Sequence, residues 1–195
     1  KIINICATLV FPLFVGGYLV GAELIRLFFF DKWASIGHIF EYLCLVQIVV
    51  SINSVNNFVH NAQGRAVWSS WNTVVCAILV PLSFFMVVPY GLEAALIPWF
   101  TTYVVISVAW IAITIRTLGI SGRAYVKVLW FPLAATMSMA AAIQVTDQLV
   151  GVWLMQQGLL LSVALKVVIG AAAYISFLWH FDRGIFRELK SLRKQ

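Results

Sequence analysis

Long apolar stretches alternate with short polar interruptions along the whole chain. The stretches run for about 20 residues, the length at which a helix crosses the hydrocarbon core of a bilayer. They predict six spans, over residues 3–21, 34–58, 68–88, 94–115, 128–145 and 152–179, followed by a basic tail at 180–195. None shows the short-period alternation of barrel strands. In lipid every backbone N–H and C=O needs an internal partner, so uninterrupted runs of this kind fold as helices. The predicted class is all-α: a polytopic membrane protein built as a six-helix transmembrane bundle. The interruptions are brief, which makes successive helices antiparallel neighbours.

Composition strengthens this reading. Apolar residues are 63% of the chain and charged residues 10%, against about 45–50% and about 25% in a soluble domain. No signal-peptide pattern stands at the start, and the first residue is Lys1 rather than Met. That start is read as the mark of a chain cut from a longer one. Cys6, Cys44 and Cys76 lie singly inside apolar runs, which points to neither a disulfide framework nor a zinc site.

The net charge of +6 invites a nucleic-acid reading, but the basic residues gather between apolar runs, as topology signals do. With Lys1 on the cytoplasmic side, that side also receives Arg65, Arg116, Arg123, Lys127, Arg183, Arg187, Lys190, Arg193 and Lys194. The other side receives Arg26 and Lys32, ten against two, with Lys166 inside a span. This bias puts both ends of the segment in the cytoplasm. Glu23, Asp31, Glu93 and Asp147 fall in or near the opposite loops.

Polar residues inside spans are costly in lipid, and they face a bundle interior or a water-filled cavity. The second span carries the most: His38, Glu41, Gln47, Ser51, Asn53, Asn56, Asn57 and His60. Gln47, Ser51 and Ser54 share a face by i+4 and i+7 spacing. Such residues serve either as hydrogen-bonding glue between helices or as a cavity wall suited to sugar hydroxyls. Lys166 either extends its stem toward the interface or offers a cation to a phosphate. The candidate cavity residues are therefore Glu41, Gln47, Asn53, Asn57 and Lys166, with Arg26 beside the first outer loop. Pro12, Pro81, Pro98 and Pro132 each remove a backbone hydrogen bond from a span. Gly17 and Gly21 form a small-residue face suited to close helix contact. No catalytic motif, metal-ligand spacing or phosphate loop is present, so no enzyme activity, metal or cofactor is expected.

Four stretches carry a family resemblance. LFFFDKWASIGHIFEYLCLVQIVVSINSV (Leu27–Val55) resembles an outer loop and following helix of Wzx-type O-antigen and polysaccharide flippases. NAQGRAVWSSWNTV (Asn61–Val74) resembles that family's cytoplasmic turn. PYGLEAALIPWF (Pro89–Phe100) resembles its next outer turn, with Glu93-Ala94 in place of a second Gly. LKVVIGAAAYISFLWHFDR (Leu165–Arg183) resembles its last helix and basic tail. The resemblance implies the multidrug/oligosaccharidyl-lipid/polysaccharide exporter superfamily and a place as its C-terminal transmembrane lobe, with an N-terminal lobe missing. It further implies the bacterial inner membrane and an undecaprenyl-pyrophosphate-linked oligosaccharide as substrate. Membrane lipids and polysaccharide polymerase machinery are the implied partners, and nucleic acid is not. The competing readings are a cation-coupled multidrug exporter of the same fold, an intramembrane polyprenyl-phosphate transferase, and a scaffold subunit whose polar residues are buried against partners.

Overall fold

A computed structural model describes residues 2–29 and 31–181. Its long helices are α1 (Ile2–Phe29), α2 (Gly37–Ala62), α3 (Ala66–Val87), α4 (Val104–Leu118), α5 (Gly122–Gln157) and α6 (Leu159–Phe181). There is no strand among the described residues. Six helical segments are long and apolar enough to cross a membrane, so the fold is that of a polytopic membrane protein. The expected basic tail lies outside the described residues from 182 onward.

α1 packs against α2, α5 and α6, while α3 and α4 pack on α2. Many large apolar side chains face outward, among them Phe85, Leu149 and Met86. In lipid that exposure needs no cover. A bundle in hydrocarbon is held by close packing and polar contacts rather than by apolar burial. Close packing is visible where Gly17 and Gly21 of α1 meet α2. A Cβ at Gly21 would come within 2.8 Å of Glu41 Cγ, and one at Gly17 within 3.0 Å of Cys44 Sγ.

Both turns at one end of the bundle close in the same way. After α2, Gly64 takes a left-handed φ of 71°, and the Arg65 N–H donates to the His60 carbonyl at 2.9 Å. After α4, Gly119 takes φ 64°, and the Ile120 N–H donates to the Ile115 carbonyl at 3.1 Å. Glycine takes this conformation without a Cβ clash, and the bonds satisfy carbonyls that the helix ends leave free. Ser121 then caps α5 by accepting from the Ala124 N–H. Arg65 donates to the Thr117 carbonyl, joining the two turns at a basic end that also carries Arg116, Arg123 and Lys127.

Two boundaries differ from the sequence expectation for one reason. The first span was expected to end at residue 21 and the fifth at 145, with outer loops beyond. α1 instead continues through Glu23 and Arg26, and α5 continues through Thr146–Gly151 to Gln157. The polar residues that suggested exits are accommodated within the helices: Glu23 and Asp147 are ion-paired to Lys166, and Thr146 donates to the Ala142 carbonyl. The reversal falls at Gly158, φ 114°, so α6 starts at Leu159 rather than near 152.

The prolines also leave a traceable mark. Pro12 has no N–H for the Thr8 carbonyl one turn earlier. The Tyr174 hydroxyl of α6 donates to that carbonyl at 2.7 Å, replacing the missing helical bond with an interhelical one. Pro98 precedes a π-helical turn, Trp99–Tyr103.

Candidate functional site

Two polar clusters lie inside the bundle. The first joins α1, α5 and α6 toward the end opposite Arg65. Lys166 is buried at 3% exposure, and its Nζ sits 2.6 Å from Glu23 Oε1 and 2.7 Å from Asp147 Oδ1. The formal charge of these three groups sums to −1. Glu23 is largely buried, and its Oε2 has no protein partner among the described residues. Asp147 is half exposed. Gly151 allows this arrangement, because a Cβ there would lie 2.9 Å from Asp147 Oδ1. Lys166 therefore does not extend to the interface. It is also not an uncommitted cation, since two carboxylates already hold it.

Glu41 lies near this end. Because Gly21 has no side chain, Glu41 approaches α1 closely enough for Oε1 to accept from the Ala22 N–H at 3.0 Å. Its Oε2 pairs with His38 Nδ1 at 3.2 Å.

The second cluster is electrically neutral and lies toward the basic end, among α2, α3, α4 and α5. Asn53, Asn56, Asn57 and His60 occur at i, i+3, i+4 and i+7, one face of α2. Asn72 of α3 donates to Asn57 Oδ1 at 3.2 Å and to Asn53 Oδ1 at 3.4 Å. Asn53 in turn donates to the Tyr103 hydroxyl at 3.3 Å and to Ser107 Oγ at 3.4 Å. Tyr103 closes the π-helical turn that follows Pro98. Tyr125 of α5 donates to Asn56 Oδ1 at 3.2 Å. His60 Nε2 lies 3.0 Å from Thr114 Oγ1 of α4, and the His60 and Trp110 rings sit 5.1 Å apart.

The expected cavity residues are thus divided between places. Asn53 and Asn57 come together, in direct helix–helix hydrogen bonding rather than on an open wall. Lys166 belongs to the ionic cluster. Glu41 is engaged with α1 and with His38. Gln47 is half-buried and joins neither cluster, and Arg26 is exposed. The stripe Gln47–Ser51–Ser54 is not the inner face: Ser54 is exposed and donates to its own helix at Val50 O. Glu23, Asp147, Asn56, His60, Asn72, Tyr103 and Tyr125 were not singled out as site residues. The i, i+3, i+4, i+7 spacing of Asn53 to His60 was the available signal for part of this set. Nothing local marked Glu23 and Asp147 as partners of a lysine 143 positions along the chain from Glu23.

Beside the ionic cluster runs an apolar groove of about 590 Å³, lined from α1, α2, α5 and α6. Gly16, Gly17, Gly170 and Ala171 contribute small residues to it. Leu24 and Val167, the chain neighbours of Glu23 and Lys166, line it near the ionic cluster. Comparison with models of known protein families, with curated proteins and with solved structures finds no match.

Proposed function

We propose that this chain is one lobe of a flippase that moves a polyprenyl-pyrophosphate-linked oligosaccharide across a membrane. The observation that carries the reading is the apolar groove next to the buried ionic cluster. A lipid-linked substrate has two incompatible parts. Its tail needs continuous apolar contact, and its charged, hydroxylated head needs polar partners in place of water. The groove supplies the first, with a volume in the range of ligand pockets, about 300–1,000 Å³. Lys166 supplies a cation for the second. Asp147, half exposed, is the carboxylate that a phosphate oxygen would displace from Lys166.

The lobe would work opposite a second lobe, with the head group passing between them as access alternates. The positive-inside bias puts the Arg65 and Arg116–Lys127 end toward the cytoplasm, and the host membrane of this reading is a bacterial inner membrane. A cation-coupled multidrug exporter is the second reading. The excess carboxylate of the Glu23–Lys166–Asp147 cluster favours it, because a net charge of −1 attracts a cation.

The test uses proteoliposomes containing the two-lobed protein to which this lobe belongs and a fluorescent polyprenyl-pyrophosphate glycolipid, with an external quencher. Transbilayer movement should exceed that of protein-free vesicles. Ala171→Phe, which places a ring in the groove, should slow it at least fivefold at unchanged thermal stability. Movement no faster than in empty vesicles, or at full rate in Ala171→Phe, would overturn the proposal. Sodium- or proton-dependent efflux of a cationic dye, with no glycolipid movement, would favour the exporter.

A further inference from the structure

The second polar cluster holds three wholly inward polar atoms with no protein partner among the described residues: Asn56 Nδ2, His60 Nδ1 and Trp110 Nε1. Their residues are buried, Asn56 and His60 at 0% exposure and Trp110 at 5%. The hydrogen bonds around them assign a role to each atom.

The Thr114 hydroxyl has one proton, and it donates that proton to the Trp110 carbonyl at 2.9 Å. With the proton placed there, its oxygen accepts from His60 Nε2, 3.0 Å away. In the neutral ring Nε2 then carries the proton, and Nδ1 is a bare lone pair, an acceptor. The Tyr125 hydroxyl donates to Asn56 Oδ1, so Asn56 Nδ2 is an N–H donor. Trp110 Nε1 can only donate.

Asn56 and His60 stand one turn apart on the same face of α2, and the Trp110 ring lies beside the His60 ring. The three atoms belong to neighbouring residues: two donors, on Asn56 one turn from His60 and on Trp110 beside its ring, and one acceptor, His60 Nδ1. Leaving each unmade costs about 1–3 kcal/mol. A hydroxyl group is complementary to this set. Its oxygen accepts from the two N–H groups, and its proton goes to the imidazole lone pair. Three hydrogen bonds are the usual number for a buried water.

We propose that Asn56, His60 and Trp110 form a binding site for a single hydroxyl group, holding His60 neutral as the Nε2-protonated tautomer. Water is one source of that hydroxyl and a carbohydrate is the other. The carbohydrate source rests on the flippase reading; the site itself does not. A cation is a poor occupant: two of the three groups are donors, and the nearby Arg65 guanidinium is positive. Thr114 and Trp110 of α4, which adjoin His60, and Asn56 and Tyr125, which bond each other, are uncharged. No carboxylate contacts the site among the described residues.

The test is nitrogen-15 and water-edited NMR of the protein in nanodiscs, with His60 signals assigned by their loss in His60→Gln. The expected result is a protonated Nε2 and a hydrogen-bonded Nδ1. Magnetisation transfer from water without added sugar identifies water as the occupant. Transfer only from the hydroxyls of an added soluble oligosaccharide identifies a solute hydroxyl. A free-imine Nδ1 with no transfer in either arm, or a ring protonated at Nδ1, overturns the site. A stability cycle with Asn56→Leu and His60→Gln gives a second check. A shared hydroxyl makes the second substitution cost less than half of what it costs alone, and additive costs overturn the bridge. Failure of glycolipid movement in proteoliposomes would leave these results unchanged, so the two proposals fail separately.

Discussion

The two polar clusters solve the same problem with different chemistry. Toward one end, α1, α5 and α6 meet through three full charges concentrated on one ammonium. Toward the other, α2, α3, α4 and α5 meet through amides, hydroxyls and an imidazole that spread the bonding over many weak contacts. Charge gives strength and fragility together: removing one partner leaves the others uncompensated in a medium that cannot hydrate them. A neutral network loses one contact at a time, and measured interhelical polar contacts in membranes average under about 1 kcal/mol. The ionic cluster is therefore where a single displacement can change the state of the bundle. The amide cluster is where the bundle is fixed in register.

The largest expected effect comes from the ionic side. Lys166→Met leaves Glu23 and Asp147 facing each other, and should cost about 3 kcal/mol, the low end for a broken buried pair because Asp147 is half exposed. Thermal unfolding in detergent measures it. Adding Glu23→Gln and Asp147→Asn should restore most of the loss. If the triple variant is no more stable than Lys166→Met, the charge argument fails.

On the neutral side, Asn72→Leu removes the two hydrogen bonds that Asn72 donates and the weak one it accepts from Cys76 Sγ, and leaves Asn57 Oδ1 without its α3 donor. The expected loss is about 1–2 kcal/mol. A loss as large as that of Lys166→Met would erase the contrast between the clusters.

Tyr174→Phe is a calibration between the two. It removes the donor from the Thr8 carbonyl that Pro12 leaves free, at a cost of about 1 kcal/mol. In a Pro12→Ala background the restored N–H supplies that carbonyl, so the same substitution should cost less than half as much. Equal cost in both backgrounds would show that Tyr174 acts by packing alone.

The smallest stability change, under about 1 kcal/mol, is expected for Asp147→Asn, a half-exposed partner. It sharpens the functional side of the comparison. Freed from one carboxylate, Lys166 should bind a polyprenyl pyrophosphate several-fold more tightly in nanodiscs. Weaker binding would mean that Asp147 supports the ligand rather than competing with it.

Much of the architecture was legible before any coordinates. Apolar runs of spanning length dictate helices because lipid offers the backbone no other partner. Short links dictate antiparallel neighbours, and Gly17 and Gly21 announced a close contact that α2 indeed makes. The element boundaries were less legible, and the misses share a cause. Glu23 and Asp147 were placed outside the spans or at their ends, as charge usually requires. A charged residue stays within a bundle when an opposite charge meets it there. On the described helices that partner is Lys166, far away in sequence.

The site divides in the same way. Residue types and their spacing along one helix already confine polar groups to α2 and to one lysine of α6, because burying them in hydrocarbon unpaired is too costly to occur without a reason. Which atoms satisfy one another depends on helices brought side by side from distant parts of the chain. Folding paired Lys166 with two carboxylates, gave Asn53 and Asn57 to Asn72, and left Asn56 Nδ2, His60 Nδ1 and Trp110 Nε1 buried without a partner among the described residues. Hydrogen bonds and ion pairs act over about 3 Å, and proximity at that scale belongs to the packed bundle rather than to the order of residues.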